Sequence, residues 1–231
     1  MESQIAAPTT EFIPEQNAPG CEETLRLRPA PAPAALTPRV LRCDTDCPQR
    51  EDLERFTRRI FRNQHGVTNV SFLPSLLGLK DNSGNVLATV GYGSCTDEPT
   101  FLEQYLDVPI EEHIALLGGT AIQRSEIVEI GNLAAENSFW ASLLFSHLAV
   151  DLSQAGYRWA VFTATRQVRR IFTAMGVGLT ELASADPARL GDAAQDWGSY
   201  YQNVPRVVAG NIHSAMPKLV SSVIDRPGYT Q

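Results

Sequence analysis

Residues 125–177 read SEIVEIGNLAAENSFWASLLFSHLAVDLSQAGYRWAVFTATRQVRRIFTAMGV and decide the fold of this chain. Four elements are predicted there: a strand over Glu126 to Leu133, a helix over Phe139 to Gln154, a strand over Trp159 to Thr163, and a basic amphipathic helix over Arg166 to Met175. Such a unit implies two parallel strands with a crossover helix. Because ligands tend to bind beyond the carboxyl ends of such strands, the loop from Gly131 to Ser138 is the first candidate for a site.

The sequence on either side of this unit adds further strands and helices. Upstream we predict a strand over Val40 to Cys43, a helix from Pro48 closed by Gly66, a hairpin of Leu76 to Lys80 with Val86 to Tyr92, and two short helices within Phe101 to Leu117. Downstream we predict a strand over Leu179 to Ala183, a helical or looped excursion over Pro187 to Asp196, and a last strand over Arg206 to His213. The fold class is therefore α/β with a mixed sheet and helices on both faces.

The ends of the chain differ from its middle in composition. Seven prolines fall within residues 1–38, which predicts a disordered or extended arm. A single folded domain is expected over residues 39–215, and the chain from Pro217 is expected to form part of a flexible polar tail over 216–231.

Composition excludes several classes of function. A formal net charge of -7 and the lack of a Lys/Arg block argue against a nucleic-acid partner. No apolar run approaches the ~18 residues of a membrane span, and MESQIAAP has no secretory pattern, so a cytoplasmic protein is expected. The four cysteines (21, 43, 47 and 95) lack a partner Cys/His pair at zinc spacing, so no metal site is predicted and free thiols are expected.

Five motifs occur in a family-like order: VEIGNLA from Val128, VFTAT from Val161, LASADPARL from Leu182, WGSYY from Trp197, and PRVVAGNI from Pro205. Together they resemble the thermostable hemolysin family. The order of elements resembles the fold of the Gcn5-related N-acetyltransferases, in which two central strands splay apart and leave a wedge for a thioester. EIGNLA is also similar to the Glu-x-Ser-Arg strand of acyl-homoserine-lactone synthases. Glu129 falls on their glutamate, while Gly131 and Asn132 stand where they have serine and arginine.

This resemblance implies an N-acyltransferase that moves an acyl group from a thioester to a small amine. Glu129 is the expected base, provided that burial raises its pKa, and Asn132 is assigned with it to the catalytic centre. The alternative is that Glu129 pairs with a nearby arginine, and Glu126 is the competing carboxylate. Donor contacts are expected from Leu133, Ala134, Ala135, Asn137, Ser138, Thr163, Thr165 and Arg166. An acyl or acceptor pocket is expected from Trp140, Phe172, Trp197, Tyr200 and Tyr201, with core packing as the alternative for the aromatic cluster.

The expected donor is acyl-phosphopantetheine on acyl carrier protein, or acyl-CoA, with no permanently bound cofactor. AENSFWAS lacks the glycines with which the acetyltransferase pattern wraps a pyrophosphate, which favours the carrier protein. Arg158, Arg166, Arg169 and Arg170 would then meet an acidic carrier, or else form a solvated helix face.

Two other functions stay open at this point. The family label suggests a membrane-active protein, and the missing glycines suggest a non-catalytic binding domain. A nucleophilic Cys95 is the weaker chemical route, since the sequence positions no histidine beside it.

Overall fold

The computed structural model describes residues 38–96, 99–118 and 121–224. The strands are β1 (Arg39–Cys43), β2 (Ser75–Lys80), β3 (Val86–Ser94), β4 (Ile127–Ala135), β5 (Trp159–Ala164), β6 (Thr180–Ser184) and β7 (Arg206–Asn211). The α-helices are α1 (Arg50–His65), α2 (Ile110–Gly118), α3 (Ser138–Gln154), α4 (Arg166–Ala174) and α5 (Ile212–Ile224). Short 3₁₀ helices cover Phe101–Tyr105, Arg124–Glu126, Pro187–Trp197 and Tyr200–Asn203. The predicted arm lies outside the described residues, except for Pro38.

The seven described strands form one sheet in the order β1-β2-β3-β4-β5-β7-β6. Within it β4 and β5 run parallel, and every other neighbouring pair is antiparallel. This arrangement confirms the predicted mixed sheet, in which an antiparallel half meets a parallel pair in the middle. The parallel pair comes from the stretch 125–177, where α3 supplies the crossover connection.

Side-chain alternation along β2 shows how both faces are covered. Leu77 and Leu79 belong to the large core that includes α3, whereas Leu76 packs with Leu53 of α1 on the other face. A Cβ at Gly78 would collide with Leu53, so glycine lets α1 lie close to the sheet. The helices therefore form a layer on each side of the sheet, as the sequence predicted.

A β-bulge interrupts β4 in the C-terminal half of the strand. Thr89 of β3 pairs with Ala134 and Gly91 pairs with Gly131, so β4 spans one residue more than β3 over this interval. Asn132 lies at the extra position with a φ of 51°, a left-handed conformation that asparagine tolerates better than most residues. The bulge bends β4 at the place where it leaves β5.

The C-terminal helix α5 corrects one prediction about the domain boundary. The chain was expected to become a polar tail at Pro217, yet α5 continues to Ile224. Leu219 is buried in the core, and its carbonyl accepts a hydrogen bond of 2.7 Å from Ser146 Oγ in α3. Packing against α3 offsets the backbone hydrogen bond that Pro217 removes. Residues 225–231 of the predicted tail lie outside the described residues.

The cysteines also differ in part from expectation. The turn between β1 and α1 brings the Cα atoms of Cys43 and Cys47 to 5.1 Å, and the two residues form a disulfide. The expectation of free thiols was therefore wrong for this pair, because the turn that starts α1 could not be inferred from their spacing alone. Cys95 is free and buried.

Candidate active site

A cleft opens where the two parallel strands separate. β4 pairs with β5 only as far as Ile130 and Phe162. Beyond that point β4 remains bonded to β3 through Ala135, and β5 to β7 through Ala164. A cavity of about 390 Å³ occupies the gap. Eleven predicted site residues line it: Glu129, Asn132, Leu133, Ala134, Ala135, Asn137, Ser138, Thr163, Thr165, Trp197 and Tyr200.

Glu129 is the one strongly perturbed carboxylate with a raised pKa in the described part of the chain. Strand alternation places it on the face of β4 that lies under the 3₁₀ helix Phe101–Tyr105, and its exposed fraction is 8%. The backbone N–H of Leu102 donates to Glu129 Oε1 at 3.2 Å. Burial raises the pKa of Glu129 to about 7, although hydrogen bonds from the Leu102 and Phe101 backbone oppose the shift. The residue can therefore take up and release a proton near neutral pH.

An arginine partner for Glu129 was the alternative interpretation, and the described residues contain no such ion pair. Glu126 forms an ion pair of this kind instead, since Arg158 Nη1 lies 3.0 Å from Glu126 Oε1. The backbone N–H of Gln123 and then Arg158 lower the pKa of Glu126. Glu126 does not line the cavity and stays ionised, so Glu129 is the better base.

An ion-pair network holds the 3₁₀ helix Phe101–Tyr105 over Glu129. Arg124 donates to both carboxylate oxygens of Glu103, at 2.8 and 2.9 Å, and to Glu111 at 2.6 Å. Burial alone would raise the pKa of Glu103. The hydrogen bonds that Glu103 accepts from Arg124 and from backbone N–H groups oppose this effect and lower its pKa to about 2. Glu103 is thus a fixed anion that anchors the helix.

Asn132 was assigned to the catalytic centre, and the structure also gives it a structural task. Its Oδ1 accepts from the backbone N–H of Leu73 at 3.0 Å, and its Nδ2 donates to the carbonyl of Ser71 at 2.8 Å. Both polar atoms of the amide therefore hold the loop before β2. Asn132 also lines the cavity, so its assignment to the catalytic centre stays a prediction, with both polar atoms of its amide engaged by this loop.

Two predicted donor contacts act as helix caps. Asn137 Oδ1 accepts from the backbone N–H groups of Phe139 and Trp140, at 3.0 and 3.1 Å, and so caps α3. Thr165 Oγ1 accepts weakly from Val168 at 3.4 Å and caps α4. Both residues still line the cavity, whereas Arg166 is exposed and does not, which corrects its assignment to the donor site.

The predicted aromatic pocket divides into two groups. Trp197 and Tyr200 line the cavity, with ring centroids 5.2 Å apart. Phe172 instead packs in the core, Trp140 packs against that core, and Tyr201 shares a 2.7 Å hydrogen bond between hydroxyl groups with Tyr105. Those three residues do not line the cavity, so their pocket assignment was wrong. Core packing had been the alternative for the aromatic cluster, and of these three residues Tyr201 belongs to that cluster and packs against buried residues.

Sequence analysis missed part of the cavity wall. Phe101 and Tyr105, four residues apart, present two aromatic rings from the short helix above Glu129. Phe61, Gln64 and His65 lie on one face of the last turns of α1 and also line the cavity. Their i, i+3 and i+4 spacing was a usable signal, but nothing local indicated that this helix end reaches the cleft.

Residues 43–216 match the family model described as thermostable hemolysin. The chain belongs to the thermostable hemolysin family. This match spans β1 to the first turns of α5 and includes the whole cavity. Among curated protein sequences, none shows significant similarity to this chain.

Solved structures with a similar fold are acyltransferases by their descriptions. The acyl-homoserine-lactone synthase LasI is 12% identical, with a TM-score of 0.54, covering 77% of this chain and 91% of its own. BjaI, a CoA-dependent acyl-homoserine-lactone synthase solved with SAM and isopentyl-CoA, is 12% identical with a TM-score of 0.56, covering 81% and 90%. FeeM, an N-acyl amino acid synthase from uncultured soil microbes, is 13% identical with a TM-score of 0.52, covering 82% and 100%. The thermostable hemolysin chain therefore has the GNAT-like fold that its sequence predicted.

The four arginines predicted to meet a carrier protein have different environments in this family member. Arg158 pairs with Glu126, and Arg169 Nη1 donates to the carbonyls of Ala164 and Val204 at 2.7 and 3.0 Å. Those two arginines serve the fold. Arg166 and Arg170 are exposed on α4 and form no ion pair within the described residues.

Two further features bear on the alternatives. Burial raises the pKa of Cys95 to about 12, and this thiol does not line the cavity, so it is a poor nucleophile. Within the described ranges, no helix combines the length and apolar character that crossing a bilayer requires.

Proposed function

We propose that this chain is an N-acyltransferase that transfers an acyl group from a phosphopantetheine thioester to the amine of a small molecule. One observation carries the proposal: Glu129, a buried carboxylate with a pKa of about 7, lines the cleft where β4 and β5 separate. A buried carboxylate that titrates near neutral pH in a cavity is typical of a general base.

The reaction requires the amine to lose protons while a tetrahedral oxyanion forms. Glu129 accepts a proton from the attacking ammonium, directly or through water, and the freed nitrogen adds to the thioester carbon. The carbon–sulfur bond then breaks, and the thiolate takes up the proton that Glu129 holds and leaves as a thiol, which frees the carboxylate. A second proton from the nitrogen passes through Glu129 to solvent, which restores the carboxylate. The nitrogen becomes much more acidic once it bonds to the carbonyl carbon, so a base with a pKa near 7 suffices for this second step.

The open edge of β4 supplies the donor site in this proposal. The backbone N–H of Glu136 donates to Leu87 of β3 at 3.0 Å. Because successive N–H groups in a strand point in opposite directions, that of Ala135 points towards the gap left by β5. An extended pantetheine arm can pair with this edge as an added strand, close to Leu133 and Ala134.

The capping of α3 favours acyl carrier protein as the donor over acyl-CoA. Asn137 accepts two of the first backbone N–H groups of α3, the groups that would otherwise bond a pyrophosphate. Glu136 lies beside them and is exposed, which adds a negative charge at the phosphate end. A carrier-bound donor brings one phosphate in place of the diphosphate of coenzyme A, so it tolerates this helix end better.

Purified protein tests the proposal by thiol release from acyl carrier protein and acyl-CoA in the presence of a panel of amines. We expect Glu129→Gln to lower kcat by about 100-fold or more, the usual contribution of a general base. Glu126→Gln is the matched control, because Glu126 lies three residues before Glu129, just ahead of β4 and outside the cavity, and this variant should retain near-normal turnover. Equal activity of Glu129→Gln and the native chain would contradict the proposal, as would the absence of amide product with every donor.

A further inference from the structure

The approach to Glu129 is walled by aromatic rings from two separate parts of the chain. Phe101 and Tyr105 come from the 3₁₀ helix above the carboxylate, and Trp197 and Tyr200 come from the excursion before β7. The rings of Phe101 and Trp197 have centroids 5.5 Å apart, so the two parts meet across the cavity. Aromatic faces attract a cation within about 6 Å of the ring centroid.

The charges that line the cavity have one sign. Within the described part of the chain, no lysine or arginine lines it, whereas Glu129, Glu136 and Asp196 do. His65 is the one lining residue that could supply a positive charge, and burial lowers its pKa, which favours the neutral imidazole. A negatively charged group on the acceptor would therefore meet carboxylates and aromatic faces, with no cation to pair with it.

One basic side chain lies close to the other end of β4. Arg59 Nη2 is 3.8 Å from Glu136 Oε1, beside the start of α3. Glu136 is seven residues beyond Glu129, on the order of 20 Å along an extended strand. Arg59 is thus placed near the phosphate end of the donor, where it cannot pair with an acceptor carboxylate close to Glu129.

We propose that the acceptor is an amine without a carboxylate, an arylalkylamine or alkylamine, and that the site discriminates against α-amino acids. This inference rests on the proposed acyl transfer and specifies its second substrate. The aromatic rings hold the ammonium by cation–π attraction while Glu129 takes its proton. The carboxylate of an amino acid would enter the same space without a partner, and burying an unpaired charge is strongly unfavourable.

Matched pairs that differ in one group test the inference. Tyramine, tryptamine, phenethylamine and cadaverine are compared with tyrosine, tryptophan, phenylalanine and lysine, with the same acyl carrier protein or acyl-CoA donor. We expect kcat/KM to be about 100-fold or more higher for each amine, because the unpaired carboxylate opposes binding and catalysis alike. The amino acid methyl esters serve as controls for size, and they should approach the amines because the ester carries no charge.

Two variants separate the contribution of the cavity wall from that of the fold. Trp197→Leu should raise KM for the amines several-fold and leave KM for the donor unchanged, since the ring contacts the acceptor side. Asp196→Arg introduces a cation at the rim and should narrow the preference for amines over amino acids.

The outcomes distinguish failure of the inference from failure of the proposed function. If amino acids are acylated as well as or better than their amines, the acceptor inference is overturned while acyl transfer stands. If neither kind of acceptor gives an amide with any donor, both are overturned. If the methyl esters are as poor acceptors as the amino acids, the site excludes them by size, and the role assigned to charge is overturned.

Discussion

At the scale of single residues, Glu129 combines a stability cost with the proposed role of general base. Burial raises its pKa from the ordinary value of 4.5 to about 7, so the folded chain binds this proton more tightly than the unfolded chain. The free energy of unfolding should therefore fall as pH rises from about 4.5 to about 7. Glu129→Gln removes this dependence, and at pH 8 it should raise the free energy of unfolding by up to about 3 kcal/mol. Urea unfolding from pH 4 to pH 8 measures the difference.

The matched control for that experiment is Glu126→Gln. The native pKa of Glu126 is lowered by the Gln123 backbone and Arg158, so its ionised form stabilises the folded chain. Loss of this carboxylate should reduce stability at neutral pH, the opposite sign to Glu129→Gln. Parallel pH profiles for Glu129→Gln and the native chain would show that the Glu129 carboxyl titrates normally.

At the scale of elements, the bulge in β4 lies where this strand leaves β5, and Asn132 occupies its extra position. Asn132→Ala loses two hydrogen bonds to the Ser71–Leu73 backbone and keeps an unfavourable positive φ, so we expect destabilisation of about 2–4 kcal/mol. Asn132→Gly loses the same bonds but adopts this φ without strain, so it should retain about 1 kcal/mol more stability than the alanine variant. Thermal and urea unfolding compare the two. Equal stability would mean that the backbone conformation contributes nothing.

The helix α5 is the element that sequence analysis did not anticipate. Leu219→Ala should lower the free energy of unfolding by about 2–4 kcal/mol, because the side chain is 4% exposed and its loss leaves a cavity against α3. Lys218→Ala, one residue earlier and exposed, should change it by less than about 0.5 kcal/mol. Chemical denaturation of the two variants provides the comparison. Similar effects would place α5 outside the cooperative fold.

At the scale of the whole molecule, the sequence predicted the helices and strands that follow from hydrophobic periodicity and from the positions of glycine and proline. The amphipathic stripe of α1 and the hairpin of β2 and β3 gave the upstream element order, and the strand–helix–strand pattern of residues 125–177 gave the parallel pair. The cavity wall was harder, since Phe101 and Trp197 are far apart in sequence and only the closed fold brings their rings together. The burial of Glu129 could be predicted because it follows from the apolar residues of its own strand, whereas the contacts of Asn132 depend on a bulge with no sequence signal.

Charge at the whole-molecule scale bears on the choice of donor. The chain carries a net charge of -7, so an acidic carrier protein is repelled overall and must be attracted by a local basic surface. Arg166 and Arg170 are exposed on α4, next to Gln167 and Val168 of the cavity wall, and under the proposed function they would provide such a surface.

The double variant Arg166→Glu and Arg170→Glu should raise KM for acyl carrier protein about tenfold and leave kcat near its native value, since removal of rim charges mainly slows association. The native KM for the carrier should also rise with ionic strength, because attraction between exposed charges is screened. An acyl-pantetheine substrate, which lacks the carrier, should show neither effect. Arg55→Glu on α1 is the control, since Arg55 is exposed but pairs with Glu51 of its own helix. Equal KM changes for the carrier and acyl-pantetheine would place these arginines at the thioester site and remove the case for a carrier-docking surface on α4.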